Sequence, residues 1–224
     1  MNPAFAWHWH GAAKAAGGHR HMTILSDLKT TAKSAIRFHT LPSAAKKAHR
    51  ADRAGLPAGD PGIAAVTEAC TQWLYRAQDQ SSSHDGGIAS HFSLIDGWGE
   101  SYPETSGYIV PTFLTLSRSG GDEAEQRARK VLDWFLGIQL PDGGFRGSTV
   151  NALPRVPVTF NTGQILLGLS AGAARFGNPY LAPMHKSAAW LRDTMDGDGA
   201  WRRHPTPFAA PGEKAYETHV AWGW

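Results

Sequence analysis

One cysteine, Cys70, stands in the whole chain. A disulfide framework inside the chain is thereby excluded. Zinc sites built on cysteine and histidine lose their ligands as well, since no histidine lies near Cys70 in sequence. No apolar run approaches the roughly 18 residues of a membrane span, so no transmembrane helix is expected. Residues 1–30 carry scattered His and Lys and no continuous apolar segment, so a cleaved secretory signal is not expected. These absences make the cytoplasm the expected compartment. No glycine-rich phosphate loop of the P-loop or dinucleotide type occurs, which leaves nucleotide chemistry without support. Nothing calls for a metal or a cofactor.

Charge is distributed unevenly. Residues 1–56 hold 9 Lys/Arg against 2 Asp/Glu, while residues 57–224 hold 13 against 17. The net charge of +3 therefore belongs to a basic N-terminal arm, and the body is mildly acidic. Such an arm is expected to be poorly ordered and solvated. It carries six of the 11 histidines, among them His8, His10, His19 and His21. These pairs lack a fixed scaffold, so metal binding is not expected of them. Met22 offers an alternative start, with residues 1–21 an upstream read-through. The arm has no interleaved aromatic platform, so no nucleic-acid partner is expected, and no membrane partner either. The organisation read here is an arm over 1–56 and a body over 57–224.

The body repeats itself. Asp85-Gly86-Gly87-Ile88 returns as Asp142-Gly143-Gly144-Phe145 and as Asp198-Gly199-Ala200-Trp201. Glu104-Thr105-Ser106-Gly107 returns as Phe160-Asn161-Thr162-Gly163 and as Tyr216-Glu217-Thr218-His219. Trp134 returns as Trp190, with Trp73 their counterpart before an insertion around Ser81-Ser82-Ser83-His84. A shared spacing of about 56 residues indicates one supersecondary unit used three times.

Each unit reads as a helical hairpin. Ala128, Val131, Leu132 and Phe135 recur at helical spacing, with Glu125, Arg127, Arg129 and Lys130 left for solvent. Asp-Gly-Gly supplies a tight turn, and a loop rich in Pro and Gly follows, as over Gly147 to Val158. A second helix is expected to open at Asn161 or Thr162 and run to about Arg175. It is apolar or small nearly throughout (Ile165, Leu166, Leu167, Gly168, Leu169, Ala171, Gly172), as a helix buried on most sides is. The expected fold is all-α, with outer half-wet helices and inner dry ones. Repeated, that pairing closes into two concentric rings, an α/α toroid. The tryptophans at 73, 134 and 190 are expected in the core.

The segment Gln139-Leu140-Pro141-Asp142-Gly143-Gly144-Phe145 resembles the repeat of terpenoid cyclases and protein prenyltransferases. The wider pattern, Ser101 to Tyr108, Phe160 to Gln164 and Tyr216 to Gly223, is more similar to bacterial toroid proteins of the six-hairpin, carbohydrate-active kind. That group includes polysaccharide lyases, uronyl hydrolases and sugar epimerases. The resemblance covers about residues 62–224 and implies six hairpins, whereas three are counted here. The expectation is a fragment, a truncated product or half of an assembly, with self-association through the open edge of the toroid. Class II terpene cyclisation implies an Asp-rich acid motif, and the sequence has none.

In a toroid the starts of the inner helices gather at one mouth. Candidate catalytic residues are therefore Glu104, Tyr108, Glu217 and His219. Candidate substrate-binding residues are Asn161, Gln164, Tyr216 and the loop tryptophans Trp98 and Trp201. Helix N-termini favour an anionic ligand. Two carboxylates suit acid–base work on a glycosidic bond. Tyr108 or His219 could instead abstract the proton α to a uronate carboxylate, with Asn161 neutralising that carboxylate. Each residue also has a structural role to fill. Glu104 and Glu217 suit the helix dipole, Asn161 and Thr162 suit caps, Tyr108 suits the core, and Trp98 and Trp201 suit packing. The function read from this is a lyase or C5-epimerase acting on a uronate-containing polysaccharide. An isoprenoid cyclase-like protein and a non-catalytic glycan- or protein-binding repeat are the competing readings.

Overall fold

The computed structural model describes residues 38–56, 58–120, 122–206 and 215–223. The histidine pairs at 8/10 and 19/21, the alternative start at Met22 and the read-through over 1–21 lie outside the described residues. The chain divides into two compact units, Met1–Gly55 and Leu56–Trp224. Within the first, α1 (Ser43–Arg53) follows Pro42 and ends on Arg50 and Arg53 in its last turn, where cations suit the helix dipole. The described part of the basic arm is thus helical.

The second unit is built almost wholly of helices: α2 (Gly62–Asp79), α3 (Pro103–Gly120), α4 (Asp122–Ile138), α5 (Thr159–Phe176), α6 (Leu181–Thr194) and a 3₁₀ helix (Ala215–Gly223). Among the described residues the strands are a two-residue antiparallel pair, β1 (Phe92–Ser93) with β2 (Gly97–Trp98), in the loop before α3, and two single bridges, Ala89 with Ser101 and Arg146 with Pro157. The fold is all-α, as the hairpin grammar predicts.

Two rows of helices result. In the outer row, Arg127 of α4 holds Asp79 of α2 through a two-pronged pair at 2.9 and 2.8 Å. The α4 face turned inward is Ala124, Ala128, Val131, Leu132 and Phe135, all buried. In the inner row, α5 packs on α3, and the 3₁₀ helix packs on α5. Most of α5 is buried, from Thr159 to Ala173. Phe113, Leu132, Phe135, Phe145, Ile165 and Leu169 form the main core. Each such side chain contributes about 1.5–3 kcal/mol on burial, so packing, not helix propensity, fixes this arrangement.

The first two Asp-Gly turns lock one outer helix to the next. Gly86, Gly143 and Gly199 adopt φ of +101°, +105° and +86°, which side chains resist. The Asp before each accepts the amide N–H two residues on, at 3.1, 3.1 and 3.2 Å. The first turn lies against Lys130 and Trp134 of α4, the second against Lys186 and Trp190 of α6. The residue after each of the first two turns donates its amide to an inner helix: Ile88 to the Ser106 hydroxyl (3.0 Å) and Phe145 to the Thr162 hydroxyl (2.9 Å).

Asp142 also accepts the Trp190 indole N–H at 3.1 Å. Asp142→Ala should therefore cost about 1–3 kcal/mol, because two partly buried donors lose their acceptor. A urea midpoint shift corresponding to less than about 0.5 kcal/mol would contradict that role.

Three expectations need correction. Helix α5 opens at Thr159, so Asn161 and Thr162 sit inside its first turn and are not caps. The cause is tertiary: the Thr159 amide and hydroxyl are held by the His204 and Arg203 carbonyls, at 2.9 Å each. Trp134 and Trp190 are core residues, but Trp73 is 45% exposed. Trp73 leans instead on Trp98 and Phe92 of the strand pair, with ring centres 4.7 and 5.8 Å away. Finally, the third inner element is 3₁₀ in place of an α-helix. Nine residues is long for that geometry. Close seating holds it, with Val220 against Gly163 and Gly223 against the Gly163 carbonyl.

Candidate functional site

The three inner elements start side by side because glycines let their backbones meet. A Cβ at Gly107 would lie 2.4 Å from the Gln164 carbonyl oxygen, and one at Gly163 would lie 2.8 Å from Val220. This contact sets the first turn of α3 beside that of α5, and that of α5 beside the 3₁₀ helix. Proline at the first position of α3, Pro103, suits a helix start because its missing N–H would have no partner there. Glu104 follows in the first turn, where a carboxylate meets the positive end of the helix dipole.

A polar cluster occupies this end. Burial pushes the Glu104 carboxyl above the usual carboxylate range, and the Tyr102 hydroxyl, within reach to donate to it, partly offsets that. Burial also raises the Tyr102 hydroxyl, helped by the Glu104 charge. The Asn161 amide lies beside Tyr102 and acts in the opposite sense. It stays outside full hydrogen-bond geometry, so its nitrogen is buried without a partner. Burial raises Tyr108 too, again with Glu104 adding to the effect. Across the cluster, Tyr216 is raised by burial, then by Glu217, then by Glu104.

The unpaired groups are the informative ones. Asn161 Nδ2, both polar atoms of the Gln164 amide and the Tyr216 hydroxyl are buried with no hydrogen-bond partner. Buried polar groups are normally satisfied, since leaving one unmade costs about 1–3 kcal/mol. Asn161 and Gln164 are three residues apart on α5, hence on one face. Glu217 is 3% exposed, acts on Tyr216 through its charge, and lines a small cavity with Trp201.

The sequence-predicted residues therefore divide. Glu104, Tyr108, Asn161, Tyr216 and Glu217 come together through the interactions above, and Gln164 lies one turn deeper on the Asn161 face. Tyr108 is 38% exposed and is not a core aromatic. His219 is exposed and stacks on Trp222, ring centres 4.6 Å apart. Trp98 belongs to the aromatic group with Trp73 and Phe92. Neither His219 nor Trp98 exchanges a hydrogen bond, ring contact or charge interaction with Glu104 among the described residues. Trp201 takes the packing role, in a buried cluster with Trp190, Leu191 and Val220, and one side of it borders a small cavity with Glu217. It is 8% exposed, and its indole N–H donates to the Leu191 carbonyl at 2.9 Å. Tyr102 is the member that sequence reasoning missed. It stands ahead of the repeated motif, so the spacing carried no signal for it.

The fold is that of helical toroids, and two solved structures share it. One is a polysaccharide lyase, 17% identical with a TM-score of 0.52, the match covering 69% of this chain and 51% of that one. The other is a possible member of the GH105 family from Salmonella enterica subsp. enterica serovar Paratyphi A. It is 13% identical with a TM-score of 0.52, over 70% of this chain and 48% of that one. The chain thus spans about half the length of the solved structures it matches. At such identities the likeness establishes the architecture. No protein-family model and no curated protein matches the sequence.

Proposed function

We propose that the chain is a carbohydrate-active enzyme, or the part of one, that moves protons at a uronate residue of a polysaccharide. The observation that carries this is the set of buried, unpartnered amide and hydroxyl groups beside a carboxyl of raised pKa. The polysaccharide-acting name of one solved neighbour supports the substrate class.

In this reading the Asn161 and Gln164 amides donate to the uronate carboxylate, which increases the acidity of the neighbouring C5 proton. Glu104, poised nearer neutrality than an exposed carboxylate, takes that proton. Burial keeps the tyrosine hydroxyls protonated, so Tyr108, expected from sequence as a base, or Tyr102 supplies the proton instead. In β-elimination the C5 proton goes to Glu104, the C4–O bond breaks, and the departing oxygen takes the tyrosine proton. In C5-epimerisation the acid returns a proton to the opposite face of C5.

A second reading is favoured by one observation, the buried second carboxylate Glu217. A pair of carboxyl groups suits glycoside hydrolysis, one of Glu104 and Glu217 serving as the acid and the other as the base. The cyclase reading calls for an aromatic-lined cavity with few polar groups, and amides and carboxylates stand at this site instead. The two enzyme readings separate in a screen of acidic and neutral polysaccharides. Absorbance of an unsaturated uronate or solvent-proton exchange at C5 supports the first, and new reducing ends without that absorbance support the second. Glycan binding with no turnover would leave only the non-catalytic repeat.

A further inference from the structure

The inner helices meet near their starts and leave space further along. A Cβ at Gly168 would lie 2.8 Å from the Gly107 carbonyl oxygen. Pro111, four residues beyond Gly107 in α3, offers that carbonyl no N–H and crowds it with its ring. Past this point a cavity of about 410 Å³ lies between α3 and α5. Pro111 and Leu114 line it from one side, Ala171 and Ala174 from the other, with Arg118 and Arg175 at its edge. Arg118 is 14 residues along the helix from Glu104, about 21 Å, so this cavity is separate from the polar cluster.

Its charges do not balance. Arg175 is paired with Glu125 at 2.7 Å, and Glu125 also draws Arg129 at 3.7 Å. Arg118 makes no ion pair among the described residues. Thr115, Ser117 and the Glu125 carboxylate, which Arg175 neutralises, complete the lining, so a cavity of small-molecule size combines a largely aliphatic wall with one uncompensated guanidinium. Among the described residues that line it none is aromatic, so a sugar ring has no face to stack on. A guanidinium matches a carboxylate in a planar, two-pronged geometry.

We propose that this cavity binds a small amphipathic anion, a carboxylate on a short aliphatic body. The carboxylate sits on Arg118 and the body lies against Leu114, Ala171 and Ala174. The inference is independent of the function proposed above.

Octanoate is the probe, titrated calorimetrically into the full chain beside octanol and sodium sulfate. The expected result is saturable one-to-one binding of octanoate, at least about tenfold tighter than either control, which is about 1.4 kcal/mol. Arg118→Gln and Ala174→Leu, at an exposed position lining the cavity, should each weaken it about tenfold or more with the helical spectrum unchanged. Octanol binding as tightly as octanoate would show that the charge plays no part. Sulfate doing so would show that the walls play none. Undiminished octanoate binding in both variants would place the ligand elsewhere. Any of these three results overturns the proposal.

Discussion

Gly107→Ala is expected to destabilise the body by about 3 kcal/mol, near the upper end for overpacked positions. The added methyl would stand 2.4 Å from the Gln164 carbonyl oxygen and 2.8 Å from the Ile165 Cα. Both are backbone atoms, so no rotamer change relieves the clash, and α3 must move away from α5. Alanine's better helix propensity returns at most about 1 kcal/mol. Gly137 provides the control. It lies in α4, and a Cβ there meets nothing within 4 Å. Gly137→Ala should be neutral or stabilising by up to about 1 kcal/mol. Urea unfolding of both variants checks the contrast, and a Gly107→Ala protein as stable as the parent would refute the close-contact account. The same substitution should also disturb the polar cluster, since Gly107 is what sets Glu104 beside Asn161.

Glu104→Gln is expected to lower turnover by about 10²–10⁴-fold on any polysaccharide the parent processes, the range for loss of a positioned acid or base. Stability should move the other way. Burial raises the folded-state pKa of Glu104 above its unfolded value. The folded state therefore holds that proton more tightly, and stability from this group is present at low pH and lost as pH rises through the raised pKa. Glutamine carries no such penalty. The melting temperature of Glu104→Gln relative to the parent should rise from about pH 4 to about pH 8, by roughly 2–4 °C for each kcal/mol removed. Thermal melts of the two proteins across that range decide the matter. A difference that stays flat with pH would mean that Glu104 is solvated. Full activity in the variant would remove it from the chemistry while leaving the pH result intact.

The Asp-Gly turns were legible because their demand is local. A positive φ needs glycine, and the Asp carboxylate bonds an amide two residues away, so the requirement is written in adjacent residues. The dry character of α5 was legible for a similar reason, since a helix covered on most sides can carry few charges. Glu104, Asn161 and Tyr216 could be grouped in advance because a toroid brings inner-helix starts together. Tyr102 could not. It precedes the repeated motif, and only the meeting of α3 with α5 puts it between Glu104 and Asn161.

Composition and spacing alone thus determined an all-α chain, its helix faces and its turns, because these follow from short-range periodicity. Tertiary structure decided the rest. It moved the start of α5 to Thr159, where carbonyls of Arg203 and His204 hold that residue from more than forty positions away in sequence. It exposed Trp73, which the repeat spacing assigns to the core, and buried Trp201, which the same spacing assigns to a loop. It also decided which polar groups lack partners. Whether Asn161, Gln164 and Tyr216 are satisfied depends on every element packed around them, and so cannot be read from any one segment.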